Sequence, residues 1–384
     1  MAVKFLHTSD WQLGMTRHYL DAEAQGRFTQ ARFDAIATMA TVARERGCAF
    51  VVVAGDVFET NQPDAATVAR ALEALARFDV PVLLLPGNHD CFHPGSVYRS
   101  RAFLERCPDH VVVLDGERPY PVADGDGDDV EVVAAPWTSK HPISDLVGDA
   151  CGRLEADGTR RVMVGHGAVD EVSGAFDDPK VIRLSAVEEA IRAGCVHYVA
   201  LGDRHSCTEV GGTGRVWFSG APEPTDYDEV DAGTALLVDL DEDGRVEVER
   251  VEVGSWHFAL LSLAVDGDED LDELERRLRA LPDAPRTIVK LKLKGTLTLR
   301  QADRLEGMLE HHGHVLGALE HPERHRDVAV LPEDADLSEL PLHGYAATAR
   351  DRLQGRAQGD GPEAQVAADA LGLLLRLAGT KGAR

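Results

Sequence analysis

Five short motifs constrain this chain more than any other feature, because each places polar side chains directly after a short apolar run. An apolar run of this kind predicts a buried strand, and a side chain that follows the strand lies at the carboxyl edge of the sheet, where open α/β sheets bind ligands. Taken singly, such a motif could equally be a helix cap or a buried histidine. Five together predict a binuclear metal site. The motifs are Asp10-Trp11-Gln12, Gly55-Asp56, Gly87-Asn88-His89-Asp90, Gly165-His166-Gly167 and Gly202-Asp203-Arg204-His205.

The first 86 residues alternate between apolar runs and helical patterns. Strands are predicted at residues 4–8, 49–54 and 80–85, and helices at 27–47 and from Pro63 to about Phe78. The run at 49–54 is continuously apolar, which is typical of a strand covered on both faces. This alternation predicts a mainly parallel sheet with right-handed crossovers.

The pattern then loosens into further strands and changes in character near Gly254. Residues 1–255 are predicted to form the core domain, 256–335 a smaller α+β domain, and 336–384 a helical tail. Further strands are predicted at 111–114, 130–134, 161–164, 197–201, 215–219, 236–240, 246–253, 258–265 and 288–294, helices at 271–281, 299–312, 346–353 and 364–377, and a solvated turn at 124–129.

Composition narrows the class of protein. The chain has 384 residues, is 44% hydrophobic and carries a formal charge of −26. It has enough apolar residues for a sizeable core, and it has neither a membrane-spanning apolar run nor a secretory signal pattern, so a cytoplasmic protein without membrane contact is expected. Its six cysteines form no C-x-x-C pair, which argues against a disulfide framework or a structural zinc cluster. Such a charge disfavours tight DNA binding without metal, whereas two bound divalent cations would invert the field locally.

The residue types at the five motifs suggest which residues bind each metal ion and which transfer protons. Asp56 is the best candidate to bridge two ions, with Asp10, Gln12 and His205 around one ion and Asn88, His166 and Asp203 around the other. Two metals about 3.5–4 Å apart can hold a phosphate and lower the pKa of a bridging water. His89 is predicted to protonate the leaving oxygen, and Asp90 to fix the tautomer or orientation of that histidine.

This set resembles the calcineurin-like metallophosphoesterase family, whose pattern is D-x-H, G-D, G-N-H-D/E, a G-H strand tip and G-H-x-H. The resemblance covers about residues 1–255, and its most specific part is Gly87-Asn88-His89-Asp90. It implies a two-sheet sandwich flanked by helices, that is, an α/β metallophosphoesterase fold. It also implies a catalytic role for His89 and metal ligation by Asp10, Asp56, Asn88, His166 and His205.

Within that family the chain looks most like the SbcD-type DNA-repair nucleases. The pointers are His7-Thr8-Ser9-Asp10, Gly55-Asp56-Val57-Phe58, and the segment from Phe218 to Glu223 followed by Asp226-Tyr227. The resemblance implies hydrolysis of DNA phosphodiesters by a metal-bridging hydroxide, a capping domain that helps shape the DNA groove, and a tail that binds an SMC-like coiled-coil ATPase of the SbcC type. Family members often dimerise through the core, so a homodimer stays open.

Three positions depart from the family pattern. Gln12 stands where a histidine ligand is usual, Asp203 replaces the first histidine of G-H-x-H, and Glu59 takes the place of a second histidine near the scissile phosphate. Asp203 gives the ligand set a charge of −3 instead of −2 against +4 from two divalent ions. Oxygen in place of nitrogen ligands favours harder ions. Mn²⁺ is therefore the expected ion, with Mg²⁺ and Fe²⁺ as alternatives, and the turnover should be modest.

Two other functions remain open on the sequence. The chain could be an attenuated scaffold subunit for the ATPase, or a phosphodiesterase acting on a nucleotide or another small molecule.

Three groups of residues outside the five motifs could also contact a ligand or a partner. Lys290, Lys292 and Lys294 alternate on one strand and could contact a phosphate backbone, although a solvated edge is the default. The histidines at 311, 312, 314, 321 and 325 are better explained by an exposed helix end and turn than by a second metal site. The apolar side chains at 366, 371, 373–375 and 377 favour docking to a partner.

Overall fold

The chain forms two compact units in this computed structural model. One unit comprises Met1–His18 and Ala22–Trp256, and the other comprises Tyr19–Asp21 and His257–Arg384. The structure describes residues 2–116, 118–123, 129–320, 326–331 and 344–357, together with residues 363, 366, 367, 370, 371, 373 and 374. The predicted division into three domains is finer than these two units, and its boundaries stay predictions.

The first unit is built from twelve described strands and six described helices. Its strands are β1 (Val3–Thr8), β2 (Phe50–Val53), β3 (Val82–Leu84), β4 (Val111–Val113), β5 (Tyr120–Ala123), β6 (Asp129–Ala134), β7 (Arg160–His166), β8 (Tyr198–Gly202), β9 (Thr208–Glu209), β10 (Val216–Phe218), β11 (Thr234–Leu240) and β12 (Val246–Glu252). Its helices are α1 (Ala22–Glu45), α2 (Ala65–Leu75), α3 (Arg101–Leu104), α4 (Leu146–Cys151), α5 (Asp170–Ser173) and α6 (Leu184–Arg192).

These strands form two six-stranded sheets, in the orders β12-β11-β1-β2-β3-β4 and β5-β6-β7-β8-β10-β9. In the first sheet β1 to β4 run parallel, and in the second sheet β6, β7, β8 and β10 run parallel. Antiparallel strands form one edge of the first sheet and both edges of the second, whereas the parallel strand β4 forms the other edge of the first sheet. The carboxyl ends of neighbouring parallel strands meet at one edge of a sheet, so β1, β2, β7 and β8 can bring their following residues together.

A shared apolar core joins the two sheets of this unit. It contains Phe5 and Phe50 from the first sheet, whose rings stack at 4.7 Å, and Val132, Val164 and Tyr198 from the second. All of these side chains are buried, as close packing between two sheet faces requires. The two-sheet α/β sandwich that the sequence predicted is therefore confirmed.

The second unit has a four-stranded sheet in which the long central strand pairs in parallel with the other three. Its helices contribute buried leucines to a separate apolar core. On the central strand, Lys290 pairs with Glu320 at 3.3 Å, and at the helix end His312 is buried with its Nε2 atom 3.0 Å from Glu275. The elements are β13 (His257–Val265), β14 (Thr287–Thr298), β15 (Ala318–Glu320), β16 (Arg326–Leu331), α7 (Asp268–Arg279), α8 (Leu299–Val315) and α9 (Tyr345–Ala357).

Most predicted elements appear within a few residues of their expected positions, with some corrections. The helix expected to open at Pro63 begins at Ala65, because Asp64 is its N-cap and accepts a hydrogen bond from the Thr67 amide. The short helices α3 to α6 and the strands β5, β9, β15 and β16 were not predicted. The turn at 124–129, the histidines at 321 and 325, and most of the helix expected at 364–377 lie outside the described residues. None of the described helices is long and apolar enough to cross a bilayer.

Candidate metal centre

Two strand ends of the first sheet place their carboxylates at the centre of the site. Asp10 follows β1 and Asp56 follows β2, and both side chains are buried. The two tips are tied together, because the Asp10 amide donates to the Gly55 carbonyl at 3.0 Å and the Gln12 amide donates to the Asp56 carbonyl at 2.9 Å. Buried, adjacent carboxylates of this kind need a cationic partner.

Two strand ends of the second sheet supply that partner and a third carboxylate. His166 is the last residue of β7, and its Nε2 atom lies 3.5 Å from Asp56 and 3.8 Å from Asp203, which follows β8. The His166 Nδ1 donates to the Ala54 carbonyl at 2.8 Å, so that Nε2 is the nitrogen that faces the carboxylates. The Asp203 amide donates to both carboxylate oxygens of Asp10, at 3.2 and 3.1 Å.

The close approach of the strand ends depends on glycine, between the two sheets at Gly202 and within the first sheet at Gly87. A Cβ atom at Gly202 would lie 2.0 Å from the Ala54 carbonyl oxygen, and one at Gly87 would lie 2.2 Å from Oδ1 of Asp56. Both distances are far below van der Waals contact, so any side chain at either position would push the strand ends apart. The glycines before Asn88 and Asp203 therefore serve the approach of neighbouring backbones.

An unusual backbone conformation marks four of the predicted ligands. Asp10, Gln12, Asp56 and Asp203 have φ angles of 54°, 44°, 55° and 98°, whereas only two other non-glycine residues in the described part of the chain have a positive φ. Such conformations cost of order 1–3 kcal/mol each and cluster at functional sites. The site is thus assembled from tight backbone turns as well as from side chains.

Asp10, Asp56 and His166 form the compact heart of the site. Each offers one ligand atom, and these atoms all lie within 4.8 Å of one another. Asn88 extends the group on one side, since its Oδ1 atom lies 3.1 Å from Nε2 of His166. The mixed oxygen and nitrogen donors suit a divalent cation of the first transition row or Mg²⁺.

Gln12 and His205 extend the group on the other side. His205 Nε2 lies 3.9 Å from Oδ1 of Asp10, and it accepts a hydrogen bond from the Gln12 amide nitrogen at 3.1 Å. The Oε1 atom of Gln12 is buried and has no hydrogen-bond partner among the residues that the structure describes. An orphaned buried carbonyl oxygen is costly unless something binds it, so this atom fits a bound cation. The structure therefore brings all seven predicted ligands to one place.

The electrostatics of the centre also fit a cation. Burial raises the pKa of the Asp10 carboxyl, because its charge has lost the solvation of water. Burial alone would lower the pKa of His166, but the carboxylates of Asp56, Asp10 and Asp203 outweigh it and raise that pKa well above its ordinary value. Burial opposes ionisation of Asp56 too, and the neighbouring His166 outweighs it and lowers the pKa of the carboxyl. Positive charge on the His166 ring therefore offsets part of the negative charge of the carboxylates around it, as a bound cation would.

His89 stands at the mouth of the site. Its backbone amide donates to Oδ1 of Asp56 at 3.0 Å, and its ring Nδ1 donates to the Glu59 carbonyl at 2.8 Å. The Glu59 carboxylate lies beside the same ring, with Oε1 4.0 Å from Nδ1. Its Oε2 atom is buried and has no hydrogen-bond partner within the described part of the chain. Because Nδ1 carries the hydrogen that Glu59 accepts, Nε2 is the ring nitrogen left for proton transfer.

Asp90 has a different place from the one expected. It is fully buried, and its carboxylate accepts hydrogen bonds from the Gly87 amide at 2.8 Å, the Phe58 amide at 3.1 Å and the Tyr98 hydroxyl at 2.6 Å. The prediction that Asp90 orients the His89 ring is therefore wrong: the Glu59 carbonyl makes that contact. Asp90 fastens the backbone of two loops that carry site residues.

A cleft of about 530 Å³ opens above these residues. Gln12, His89, Asp203 and His205 line it, whereas Asp56 and His166 lie beneath, fully or almost fully buried. Its other lining residues are Met15, Arg17, Glu59, Arg204, Ser206, Thr225, Asp226, Asp228 and Glu229. A substrate in the cleft would therefore meet His89 and the outer candidate ligands first, within a wall whose five carboxylates outnumber its two arginines.

The family of the chain follows from its sequence as a whole. The sequence model of the calcineurin-like phosphoesterases matches residues 3–207, more than half of the chain. The chain belongs to the calcineurin-like phosphoesterase family. It is thus a member of a hydrolase family that binds divalent metals, and Asp10, Asp56 and His166 form its candidate metal site.

Two relatives within this family of phosphoesterases are nucleases or repair proteins by name. The DNA double-strand break repair protein Mre11 of Archaeoglobus fulgidus is 31% identical over 185 residues, which are 44% of this chain and 40% of that protein. The D subunit of the nuclease SbcCD from Escherichia coli K12 is 26% identical over 283 residues, 65% of this chain and 67% of the relative. The match thus spans less than half of the Archaeoglobus protein.

Among solved structures, TT1561 of Thermus thermophilus matches 66% of this chain and all of its own, at 13% identity and a TM-score of 0.41.

Sequence reasoning missed the roles of several residues that contact the candidate ligands. Ser9 donates to Oδ2 of Asp10 at 2.6 Å and contacts the Ser219 hydroxyl at 2.8 Å, and Trp137 donates to the His166 carbonyl at 2.7 Å. Thr225 and Glu229 contact His205. The available signals were His7-Thr8-Ser9-Asp10 and the segment from Phe218 to Glu223 followed by Asp226-Tyr227, which resemble the nucleases but had no role assigned to their supporting residues.

Proposed function

We propose that this phosphoesterase is a metal-dependent DNA phosphodiesterase, a repair nuclease of the SbcD type. The observation that carries the proposal is the cluster of Asp10, Asp56 and His166 directly beneath a cleft whose mouth holds His89. The names of the relatives support DNA as the substrate. A cytoplasmic location belongs to the same proposal.

The arrangement of ligands supports two ions. Asp56 would bridge them, with Asp10, Gln12 and His205 around the first ion and Asn88, His166 and Asp203 around the second. When bound, such ions supply Lewis-acid activation of water and of the phosphate oxygens. Asp10, Asp56 and Asp203 bring three negative charges, and most of the proposed ligands offer oxygen atoms. Both features support Mn²⁺ as the preferred ion, followed by Mg²⁺ or Fe²⁺.

His89 is the proposed general acid. The Glu59 carbonyl holds the Nδ1 hydrogen, so a proton on Nε2 would be delivered toward the leaving oxygen of a phosphodiester in the cleft. The ring is part-exposed at the cleft, which gives it access to substrate. Asp90 would act at a distance by holding the loop on which His89 stands.

The rest of the chain would adapt the core to a larger assembly. We propose residues 1–255 as the nuclease domain, 256–335 as a capping domain beside the DNA, and 336–384 as the helical tail that binds an SMC-like coiled-coil ATPase. Deleting residues 337–384 should spare hydrolysis of a chromogenic phosphodiester and abolish capture of that ATPase. Retained capture would contradict the role of the tail.

A small phosphodiester is the second candidate substrate, and the acidic wall of the cleft favours it. Glu59, Asp226 and Asp228 line the cleft together with the ligand Asp203, and this charge disfavours a polyanion more than it disfavours a nucleotide. The attenuated scaffold is the third reading, and it depends on the departures at Gln12, Asp203 and Glu59.

The deciding experiment is hydrolysis of end-labelled single-stranded and duplex DNA with Mn²⁺, Mg²⁺ or EDTA. Asp56→Ala and His89→Ala should each abolish cleavage, and His89→Ala should retain bound metal. His93→Ala is the matched control, because this nearby ring contacts Asn61 and the Gly95 amide and should leave cleavage unchanged. Hydrolysis of a cyclic nucleotide without DNA cleavage would favour the small substrate. Folded protein that cleaves neither would favour the scaffold.

A further inference from the structure

A pair of oxygen acceptors lies behind the outermost histidine ligand. The His205 Nδ1 atom is 2.6 Å from the Thr225 hydroxyl and 3.0 Å from Oε1 of Glu229. The opposite nitrogen, Nε2, accepts from the Gln12 amide and faces Asp10. The ring therefore carries its hydrogen on Nδ1 and presents the unprotonated Nε2 to the side on which Gln12 and Asp10 lie.

Glu229 is itself held in place by further contacts of its own turn. Its Oε2 atom accepts the Thr225 amide at 2.8 Å, and its Oε1 atom accepts the Thr225 hydroxyl. Arg17 fixes the same turn from outside by donating to the Thr225 carbonyl at 2.6 Å. The Glu229 side chain is only 7% exposed. A buried carboxylate with this many fixed contacts is preorganised against the imidazole.

We propose that Glu229 is a positioning residue for the first metal ion, completing a carboxylate–histidine–metal relay through His205. This inference rests on the metal site of the proposed function and adds to it a residue 24 positions along the chain. Such a carboxylate fixes the tautomer and ring orientation of the ligand and increases its basicity. It matters more here than at an ordinary site, because the neighbouring ligand is the weaker amide of Gln12.

The charge balance supports the same role. Asp10, Asp56 and Asp203 contribute three negative charges to the ligand set, and Glu229 adds a fourth directly behind it. Four negative charges match the four positive charges of two divalent ions. The relay would therefore compensate for the weak amide ligand of Gln12, and Glu229 would do so without itself binding the ion.

The test is calorimetric titration of metal-free protein with Mn²⁺, which needs no catalytic turnover. Glu229→Gln keeps the size of the side chain and removes its charge, and we expect Mn²⁺ affinity at one of two sites to fall about 10- to 100-fold. Glu223→Gln is the matched control. Glu223 is a fully buried glutamate of the same segment, but it accepts from Ser255 and the Trp256 amide, and the loss of its charge should leave affinity unchanged.

A double-mutant cycle separates positioning from a general loss of structure. If Glu229 acts through His205, Glu229→Gln should have almost no further effect on affinity in a His205→Ala background. Equal losses in both backgrounds, or wild-type affinity in Glu229→Gln, would overturn the inference while leaving the proposed function intact. Wild-type protein that binds no Mn²⁺ would overturn both.

Discussion

The hydroxyl of Tyr98 donates a 2.6 Å hydrogen bond to the buried carboxylate of Asp90, and this contact fastens the loop that carries Asn88 and His89. The same carboxylate accepts the Gly87 and Phe58 amides, so one side chain holds the turns after two neighbouring strands. Asp90 thus contributes to the site through its architecture, although its sequence position beside His89 suggests direct participation.

Tyr98→Phe should destabilise the protein by about 1.5–3 kcal/mol, because it removes a hydrogen bond to a charged group that water cannot easily replace. Urea denaturation at neutral pH measures the change in the free energy of unfolding. Tyr120→Phe is the control, since the Tyr120 hydroxyl bonds to Asp115, a carboxylate that is 45% exposed. Equal losses in the two variants would contradict the structural role of Asp90.

Divalent metal should stabilise the folded chain, because the proposed ligands come from the ends of strands in both sheets. At a Mn²⁺ concentration 100-fold above its dissociation constant, the free energy of unfolding should rise by about 2.7 kcal/mol for each independent site. Thermal unfolding with Mn²⁺ or EDTA measures the shift, and Asp56→Ala should greatly reduce it. A melting temperature indifferent to EDTA in protein that binds the ion would argue against ligands from both sheets.

Gln12→His should move the metal preference toward zinc. Histidine tolerates the left-handed backbone at this position better than most residues, and its nitrogen is a softer donor than the amide oxygen. Competition between Zn²⁺ and Mn²⁺, followed by elemental analysis of the protein, should show a ratio about tenfold higher than in the wild type, or roughly 1.4 kcal/mol. The exposed Gln62→His variant should show no change.

His7 should make stability depend on pH below neutrality. The ring is fully buried, donates to the Leu201 carbonyl and accepts from the Tyr198 hydroxyl, and burial lowers its pKa to about 3. At pH values between about 3 and the unfolded pKa of about 6.5, the unfolded chain binds a proton at His7 and the folded chain does not. The contribution of His7 to stability is therefore complete above pH 6.5 and is lost progressively as the pH falls toward 3.

The variant His7→Gln isolates this contribution. In EDTA, the wild type should lose about 2 kcal/mol more than His7→Gln between pH 7 and pH 5, since the glutamine cannot take up the proton. His141→Gln is the control at an exposed histidine and should follow the wild-type curve. Parallel curves for wild type and His7→Gln would show that the ring is protonated inside the folded protein.

The strands and the clustering of the candidate ligands could be predicted because local patterns determine both. The runs before Asp10, Asp56 and His166 are short and apolar, and parallel strands bring their ends to one edge. The role of Asp90 could not be predicted, because its partners Tyr98 and Phe58 face it only after the loops fold. Glu229 was missed for the same reason, since nothing in the sequence shows that it lies behind His205.

The left-handed backbone at residues 10, 12, 56 and 203 has a consequence for how such a site can diversify. The direction in which each side chain leaves the chain is determined by the turn, not by the residue that occupies it. Aspartate, asparagine and histidine are the non-glycine residues best suited to that conformation, and all three are potential metal ligands. At positions 12 and 203, substitution can therefore replace one donor atom by another. Such a change would alter which metal ion the site prefers while the backbone around it stays the same.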